Sequence, residues 1–125
     1  MTRYLGRSHT APIDAADVDV VDVHPETGDV EFATEEFQAV CPVTGQPDVY
    51  ALTIRFVPDG RSLESKSLKL YLWSFRDRGL YAEDIAATIA RDLSGVLGRA
   101  VQVRAVQRPR GGLTLTASAL VGPPA

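Results

Sequence analysis

The sequence predicts an α+β domain in which an antiparallel four-stranded sheet carries two helices on one face. In the first and last thirds of the chain, apolar residues alternate with polar ones, which is the period of a half-buried strand. In the middle, apolar residues recur at every third or fourth position, which is typical of an amphipathic helix. Strands, two helices and strands in only 125 residues indicate a hairpin on each side of a helix pair, a two-layer arrangement.

Five segments have the alternation and composition of extended chain. They cover residues 18–23, 30–37, 49–57, 101–105 and 113–119. The clearest is 49–57, because large apolar residues occupy every second position and the turn Pro58-Asp59-Gly60 follows. The last two segments are separated by residues 108–112, which contain a proline and two glycines and are expected to form a hairpin loop.

Two segments have helical periodicity. Their apolar positions are Leu68, Leu72 and Phe75 in the first segment and Ile85, Ile89 and Leu93 in the second. We expect the first helix to begin at Ser65 and to end at Gly79. The second is expected to end at Gly98, because glycine is a common residue directly after a helix.

The length of the chain indicates one domain that covers residues 1–125. We expect an N-terminal arm over residues 1 to about 16 and a C-terminal tail over about 119–125. A chain this short cannot hold a cofactor domain beside a separate substrate domain, so an active site is small or shared between chains. The two free edges of a four-stranded sheet favour pairing with copies of the same chain.

The composition excludes several classes of protein. With 45% hydrophobic and 23% charged residues, the chain has the make-up of a globular domain. No apolar run approaches the roughly 20 residues that span a bilayer, so we expect no membrane insertion. The first seven residues carry positive charge with no apolar stretch behind them, unlike a secretory signal, and we expect a cytoplasmic location.

The charges are unevenly distributed along the chain. Residues 1–54 contain two basic and ten acidic side chains, whereas residues 55–125 contain eleven basic and six acidic ones. This layout argues against a uniform basic face for nucleic acid, but it favours a local anion site in the second half. A single cysteine and two histidines exclude an internal disulfide, and we expect no metal site.

Cys41 and Asp48 flank a loop that is dense in turn-forming residues. Pro42 keeps Cys41 out of a helix, and the stretch 44–47 folds the chain back, so the thiol and the carboxyl group can approach each other. A thiol with a carboxyl partner suits addition to a nitrile, where sulfur attacks carbon and a general acid protonates nitrogen. The alternatives are that Cys41 is a small buried apolar residue and that Asp48 caps a turn.

The start of the first predicted helix is a candidate anion site. Free backbone N–H groups favour negative charge there, and Lys66 and Lys69, the only lysines of the chain, add two ammonium groups. Arg110, in a glycine-bordered loop, can add a bidentate guanidinium. The alternative is a solvated helix face that happens to carry both lysines.

Glu83 lies near the start of the second predicted helix. Its two carboxylate oxygens are suited to a purine-like edge that presents N–H and NH₂ groups. The alternative is an ordinary favourable contact between a carboxylate and the helix dipole.

Four motifs of the chain resemble a known family. They are FQAVCPVTGQPD at 37–48, ESKSLKLYLWSFR at 64–76, ED at 83–84 and PRGG at 109–112. In this order and spacing they closely resemble the single-module QueF nitrile reductases, over roughly residues 31–118. Residues 8–30, roughly, contribute little to the resemblance.

The resemblance implies a reaction. Members of the family reduce the nitrile of 7-cyano-7-deazaguanine to 7-aminomethyl-7-deazaguanine with NADPH, a step toward the queuosine nucleoside of tRNA. Cys41 is the implied nucleophile, which forms a covalent thioimide, and Asp48 is the implied proton donor to nitrogen. The implied substrate contacts are Glu83, Glu64 and Ser65, and the implied contacts to NADPH phosphates are Lys66, Lys69 and Arg110.

The resemblance also implies an assembly. The family has the tunnelling fold, a sheet backed by two helices, and its members associate as pentameric rings, often paired into decamers, with active sites between subunits. We therefore expect a small-molecule substrate and a homo-oligomer that closes into a ring or barrel. Neither nucleic acid nor a membrane is an expected partner.

The chain departs from the family pattern at Ala82, where the family usually has a histidine that is related to substrate positioning and proton handling. This departure leaves two alternatives open. One is a deazapurine-binding relative that forms the thioimide but reduces poorly or acts on a different nitrile. The other is a non-catalytic oligomeric binding module in which Cys41 is merely buried.

Overall fold

A computed structural model of the chain describes residues 11–123. The strands are β1 (Val20–Asp22), β2 (Val30–Val40), β3 (Pro47–Phe56), β4 (Arg61–Leu63), β5 (Val101–Arg110) and β6 (Leu113–Val121). The α-helices are α1 (Ser65–Trp73) and α2 (Ala82–Leu97), and a short 3-10 helix, Ala15–Asp17, precedes β1. Residues 1–10 of the expected arm and residues 124–125 of the expected tail lie outside the described residues.

Four strands form one antiparallel sheet in the order β2-β3-β5-β6. On β3, the side chains of Tyr50, Leu52 and Ile54 are buried, whereas the residues between them are more exposed. The buried face is covered by α2, which contacts β5 and β6, and by α1, which contacts β2. The predicted two-layer α+β architecture is therefore confirmed.

Helix α2 supplies much of the core beneath the sheet. Its apolar stripe, with Ile85, Ile89 and Leu93, is fully buried. Gly98 ends the helix as predicted: its φ of +74° is the left-handed conformation that glycine adopts without strain, and its N–H donates to the Ser94 carbonyl (2.8 Å). No helix within residues 11–123 has the length and apolar character needed to cross a membrane.

The predicted strand at 18–23 is shorter than expected and belongs to a different sheet. Only Val20–Asp22 is a strand, and it pairs with β4 in a separate two-stranded sheet. The alternation of β4 could not be seen in the sequence because the strand has only three residues, and the pairing depends on a partner about 40 positions away. The Ser67 hydroxyl, which accepts from the Asp19 N–H (2.9 Å), ties the N-terminal segment to the start of α1.

Helix α1 ends at Trp73, so the prediction that it continues to Gly79 is wrong. The Ser74 hydroxyl donates to the Tyr71 carbonyl (2.6 Å). The N–H groups of Ser74 and Phe75 donate to carbonyls three positions earlier, instead of four. This tighter turn ends the helix before the glycine is reached.

Both ends of the described chain pack on the domain. Ile13 is buried, and its N–H donates to the Leu70 carbonyl on α1 (3.3 Å), so this part of the expected arm belongs to the core. Strand β6 continues to Val121, which lies inside the expected tail.

Candidate active site

Cys41 opens the turn between the antiparallel strands β2 and β3. Its N–H donates to the Gln46 carbonyl (2.8 Å), and its own carbonyl accepts from the Gly45 N–H (2.8 Å). Gly45 has a φ of +71°, a left-handed conformation that favours glycine. These bonds fix the nucleophile candidate in a closed turn at the end of the sheet.

The segment after α1 holds this turn in place. The Val40 N–H donates to the Arg78 carbonyl (3.0 Å), and the Leu80 N–H donates to the Val40 carbonyl (3.3 Å). Between them, a Cβ atom on Gly79 would lie 3.4 Å from the Cα of Pro42, at van der Waals distance. Gly79 therefore lies against the Cys41 turn, a position that differs from the predicted helix stop.

The surroundings of Cys41 favour its thiolate form. The pKa of the thiol is lowered to about 7, first by a hydrogen bond from the Thr44 side chain, then by the backbone N–H groups of Thr44 and Val43, and last by the Arg110 side chain. The residue is only partly buried. Cys41 therefore differs from a fully buried apolar side chain.

Asp48 lies across the β2–β3 ladder from the turn, opposite Ala39. Its carboxylate is 5% exposed and forms an ion pair with Arg110, with Nη1 2.5 Å from Oδ1. Arg110 also helps to lower the pKa of the Cys41 thiol, so the predicted nucleophile, the predicted proton donor and one predicted phosphate contact lie in one region of the structure. The ion pair also shows that Asp48 does more than cap a turn.

Tyr50 belongs to the same cluster, although the sequence analysis treated it only as a strand residue. It follows Asp48 by two positions on β3, and both side chains lie on the buried face. Burial, and then the charges of Asp48, Glu83 and Cys41, raise the pKa of the Tyr50 hydroxyl to about 12. The spacing of two residues from Asp48 on a strand was the signal that could have revealed it.

Glu83 approaches the cluster from the first turn of α2. Its side chain is exposed, yet its charge acts on Tyr50. The neighbouring Ala82 is buried in the core and offers only a methyl group on this side. The described site therefore contains one thiol, two carboxylates, one guanidinium and one phenol.

Glu64 caps the N-terminal end of α1. Its carboxylate, 4% exposed, accepts from the N–H groups of Lys66 (2.7 Å) and Ser67 (2.8 Å). The expectation of free N–H groups at this helix start is therefore wrong, because the side chain that precedes the helix already satisfies two of them. Ser65 is exposed beside this cap.

The lysines lie apart from Arg110. Lys69 lines a cavity of about 280 Å³ between β2 and α1, together with Trp73 and Arg76, whereas Arg110 lines a different cavity beside Asp48. Among residues 11–123, no carboxylate lies within ion-pair distance of Lys66 or Lys69. The two ammonium groups thus remain available for an anion, but a three-cation group with Arg110 is not formed by these side chains.

Two predicted site residues, Cys41 and Ser65, lie at different positions along the sheet. Ser65 lines a cavity with Leu52 and Ile54, whereas Cys41 lies at the other end of β3, beside Asp48. Leu52 and Ile54 are four and six residues from Asp48 on one strand, which corresponds to ~13–20 Å. Within one chain, Cys41 and Ser65 therefore lie toward opposite ends of the sheet.

The comparisons with known proteins agree on one family. A model of the family described as QueF-like protein matches residues 47–122, which include Asp48, Glu83 and Arg110 but begin after Cys41. A Bacteroides thetaiotaomicron protein named NADPH-dependent 7-cyano-7-deazaguanine reductase is 42% identical over 103 residues, or 81% of this chain and 68% of that protein. A Thermomicrobium roseum protein of the same name is 51% identical over 86 residues, or 68% and 67%.

Solved structures are similar to this chain in fold. One of them is the archaeosine synthase QueF-Like in its apo form, with a TM-score of 0.70 and 21% sequence identity over 77% of this chain and 95% of that one. This likeness confirms the expected fold.

Proposed function

This chain belongs to the QueF-like protein family, and we propose that it is an NADPH-dependent 7-cyano-7-deazaguanine reductase. The reaction takes one nitrile, two NADPH and two protons to one aminomethyl group and two NADP⁺, and it serves queuosine biosynthesis. The observation that carries the proposal is the meeting of an acidified Cys41 thiol with the Asp48–Arg110 ion pair at one end of the sheet.

The first step is addition of Cys41 to the nitrile. A bond forms between sulfur and the nitrile carbon, one π bond of the C≡N group breaks, and nitrogen gains a proton to give a thioimide. With a pKa of about 7, about half of the thiol is ionised at neutral pH. Asp48, paired with a cation, is suited to receive the thiol proton and then to deliver it to nitrogen.

The donor set on α1 fits a phosphorylated cofactor. Lys66 and Lys69 have no carboxylate partner among the described residues, and Arg76 adds a further cation beside the Lys69 cavity. When bound, NADPH supplies hydride, and Lys66 and Lys69 would hold its phosphates. Arg110 uses one N–H on Asp48 and has four others, so a phosphate contact by Arg110 remains part of the proposal.

We assign recognition of the deazaguanine ring to the carboxylate of Glu83. Its exposure and its closeness to Tyr50 support acceptance of N–H and NH₂ donors from a ligand that is attached to Cys41. The Glu64 carboxylate keeps lone pairs beyond its two capping bonds, and the Ser65 hydroxyl is exposed next to it. These two residues remain proposed substrate contacts.

We infer that two subunits are needed for one ligand to contact both Cys41 and Ser65. Because Cys41 and Ser65 lie toward opposite ends of one sheet, a single small molecule cannot touch both in the same chain. The edge strand β6 also exposes Leu113 and Leu120, at 76% and 70% of their surface. Both features support a homo-oligomer, for which we expect pentameric rings that pair into decamers, in the cytoplasm where NADPH is the reductant.

One observation favours a second candidate function. Ala82 is buried and apolar, so its position offers no proton-handling group to the reduction steps. The second candidate is a relative that forms the thioimide with a deazapurine nitrile but reduces it poorly. A non-catalytic binding module is disfavoured by the partly exposed, acidified thiol.

The test is intact-mass measurement after incubation with 7-cyano-7-deazaguanine in the absence of NADPH. Addition expels no leaving group, so we expect a mass increase equal to the whole nitrile in the native chain and none in Cys41→Ala. Loss of NADPH absorbance on addition of the cofactor then separates a reductase from a relative that only forms the thioimide. If the native chain forms no adduct, both candidates are wrong.

A further inference from the structure

The Tyr50 hydroxyl is a buried titratable group that the reaction described above does not use. It follows Asp48 by two positions on β3, and the charges of Asp48, Glu83, Cys41 and Arg110 act on it. We propose that Tyr50 is a further catalytic residue, whose hydroxyl donates a hydrogen bond to the nitrile nitrogen as Cys41 adds to the nitrile carbon. The inference rests on the proposed function and names a role within it that no comparison assigns.

The position of the ring on β3 places it on the same face of the sheet as Asp48. Asp48 and Tyr50 are alternate residues of one strand, so their side chains lie on the same face, with Cα atoms ~7 Å apart. The Tyr50 ring packs edge-on against Phe37 of β2, with 5.9 Å between ring centroids. Phe37 in turn packs against Phe75, which follows α1. These aromatic contacts hold the ring in one place.

The hydroxyl itself has no hydrogen-bond partner among residues 11–123, although only 1% of the residue is exposed. The oxygen is not among the fully enclosed polar atoms without a partner, so it keeps a small solvent-accessible area. A buried phenol usually finds a partner for its hydroxyl. An unpaired donor two strand positions from Asp48 is therefore suited to a ligand.

The Tyr50 hydroxyl is protonated at neutral pH. Burial, and then the charges of Asp48, Glu83 and Cys41, raise the pKa of Tyr50 to about 12, so it is a donor at neutral pH. When the thiolate adds, negative charge develops on the nitrile nitrogen. A fixed donor stabilises that charge more than it stabilises the neutral nitrile, and the Tyr50 O–H bond stays intact. The proton that nitrogen finally gains comes from Asp48.

Among the uncharged donors of the site, Tyr50 is well placed for this task. The Thr44 hydroxyl is already used by the Cys41 thiol, and Ala82 contributes only a methyl group. Removal of the Tyr50 hydroxyl alone should therefore slow addition to the nitrile, without weakening recognition of the deazaguanine ring.

The test compares Tyr50→Phe with the native chain and with Tyr71→Phe. Tyr71 is a matched control, because its buried hydroxyl donates to Asp92 (2.7 Å), on a helix that does not carry Cys41. We expect adduct formation with 7-cyano-7-deazaguanine to slow at least 10-fold in Tyr50→Phe and to stay within twofold in Tyr71→Phe. Binding of 7-deazaguanine, which lacks the nitrile, should stay within twofold in both variants.

Two outcomes would overturn the inference. One is an adduct rate in Tyr50→Phe equal to the native rate. The other is a parallel loss of adduct formation and 7-deazaguanine binding in a folded variant, which would show a role that is not specific to the nitrile. If Tyr50→Phe does not fold, Tyr50→Met, which also lacks a hydroxyl, takes its place with the same criteria. Failure of the native chain to form any adduct is a separate result, which concerns the proposed function alone.

Discussion

The Arg110 guanidinium is paired with the buried Asp48 carboxylate across two adjacent strands, with Nη1 2.5 Å from Oδ1. The β3–β5 register explains the contact. Tyr50 lies opposite Gln107, and continuation of that antiparallel register by two to three residues places Arg110 beside Asp48. One arginine thus pairs with the candidate proton donor and also contributes to the lowered pKa of the Cys41 thiol.

Removal of the guanidinium should destabilise the fold. Arg110→Ala leaves the buried Asp48 carboxylate without its cation, at an expected cost of ~1–3 kcal/mol in the free energy of unfolding. Denaturant unfolding measures this cost. Arg108→Ala is the matched control, because Arg108 is exposed and lies 3.8 Å from its carboxylate partner, Glu35. We expect the double variant Arg110→Ala with Asp48→Asn to recover part of the loss, and an unchanged loss would contradict a charge-pair origin.

Thr44 sets the acidity of the nucleophile. Thr44→Val keeps the shape of the side chain but removes the hydroxyl whose hydrogen bond is the main cause of the lowered pKa of Cys41. Because the lowered pKa leaves the thiolate dominant above about pH 7, the variant should need a higher pH for half-maximal alkylation by iodoacetamide. The midpoint should move from about 7 toward the ordinary thiol value of 9.0. An unmoved midpoint would show that Thr44 does not control the thiol.

Asp48 should matter for the rate of adduct formation. Asp48→Asn removes the group that moves the proton from sulfur to nitrogen, and we expect the rate with the nitrile to fall about 10²-fold or more. Asp59→Asn is a suitable control, because Asp59 also pairs with an arginine, Arg99, but lies in a surface turn. Equal rates in Asp48→Asn and the native chain would remove Asp48 from the mechanism.

The cofactor assignment can be tested through the two lysines. Lys66→Ala combined with Lys69→Ala should raise the KM for NADPH by about 10-fold or more, since each lysine is expected to form a charge-assisted contact with phosphate. The affinity for the nitrile should change little. Arg91→Ala removes an exposed cation from α2 and provides the control. If nitrile and NADPH are affected equally, the phosphate assignment is wrong.

The regular elements could be predicted where the sequence alone carries their signal. Helix α2 combines a buried apolar stripe with a glycine that ends it, and β3 alternates over its whole length, so both were predicted closely. Strand β4 and the end of α1 were not, because they depend on a distant partner strand and on the Ser74 hydroxyl. Strand β4 forms because of tertiary pairing, and α1 ends at a local side-chain hydrogen bond. Hydrophobic periodicity shows neither of these.

The candidate site was predictable in part for a similar reason. Cys41 and Asp48 flank one short turn, so their approach follows from chain geometry. The contact of Arg110 with Asp48 depends on which strands are neighbours. The capping role of Glu64 depends on the conformation of its side chain, which folds back onto the N–H groups of Lys66 and Ser67. The strand periodicity places Tyr50 on the same face as Asp48, so its position could be predicted. Its role could not, because a buried aromatic residue on a strand is ordinarily part of the core.

The central claim is that Cys41 and NADPH together reduce the nitrile to an amine. The most direct measurement is the number of NADPH molecules oxidised for each 7-aminomethyl-7-deazaguanine formed, with Cys41→Ala measured in parallel. We expect two NADPH for each amine in the native chain and no oxidation in the variant. An adduct at Cys41 with no NADPH oxidation, or equal oxidation in Cys41→Ala, would contradict the claim.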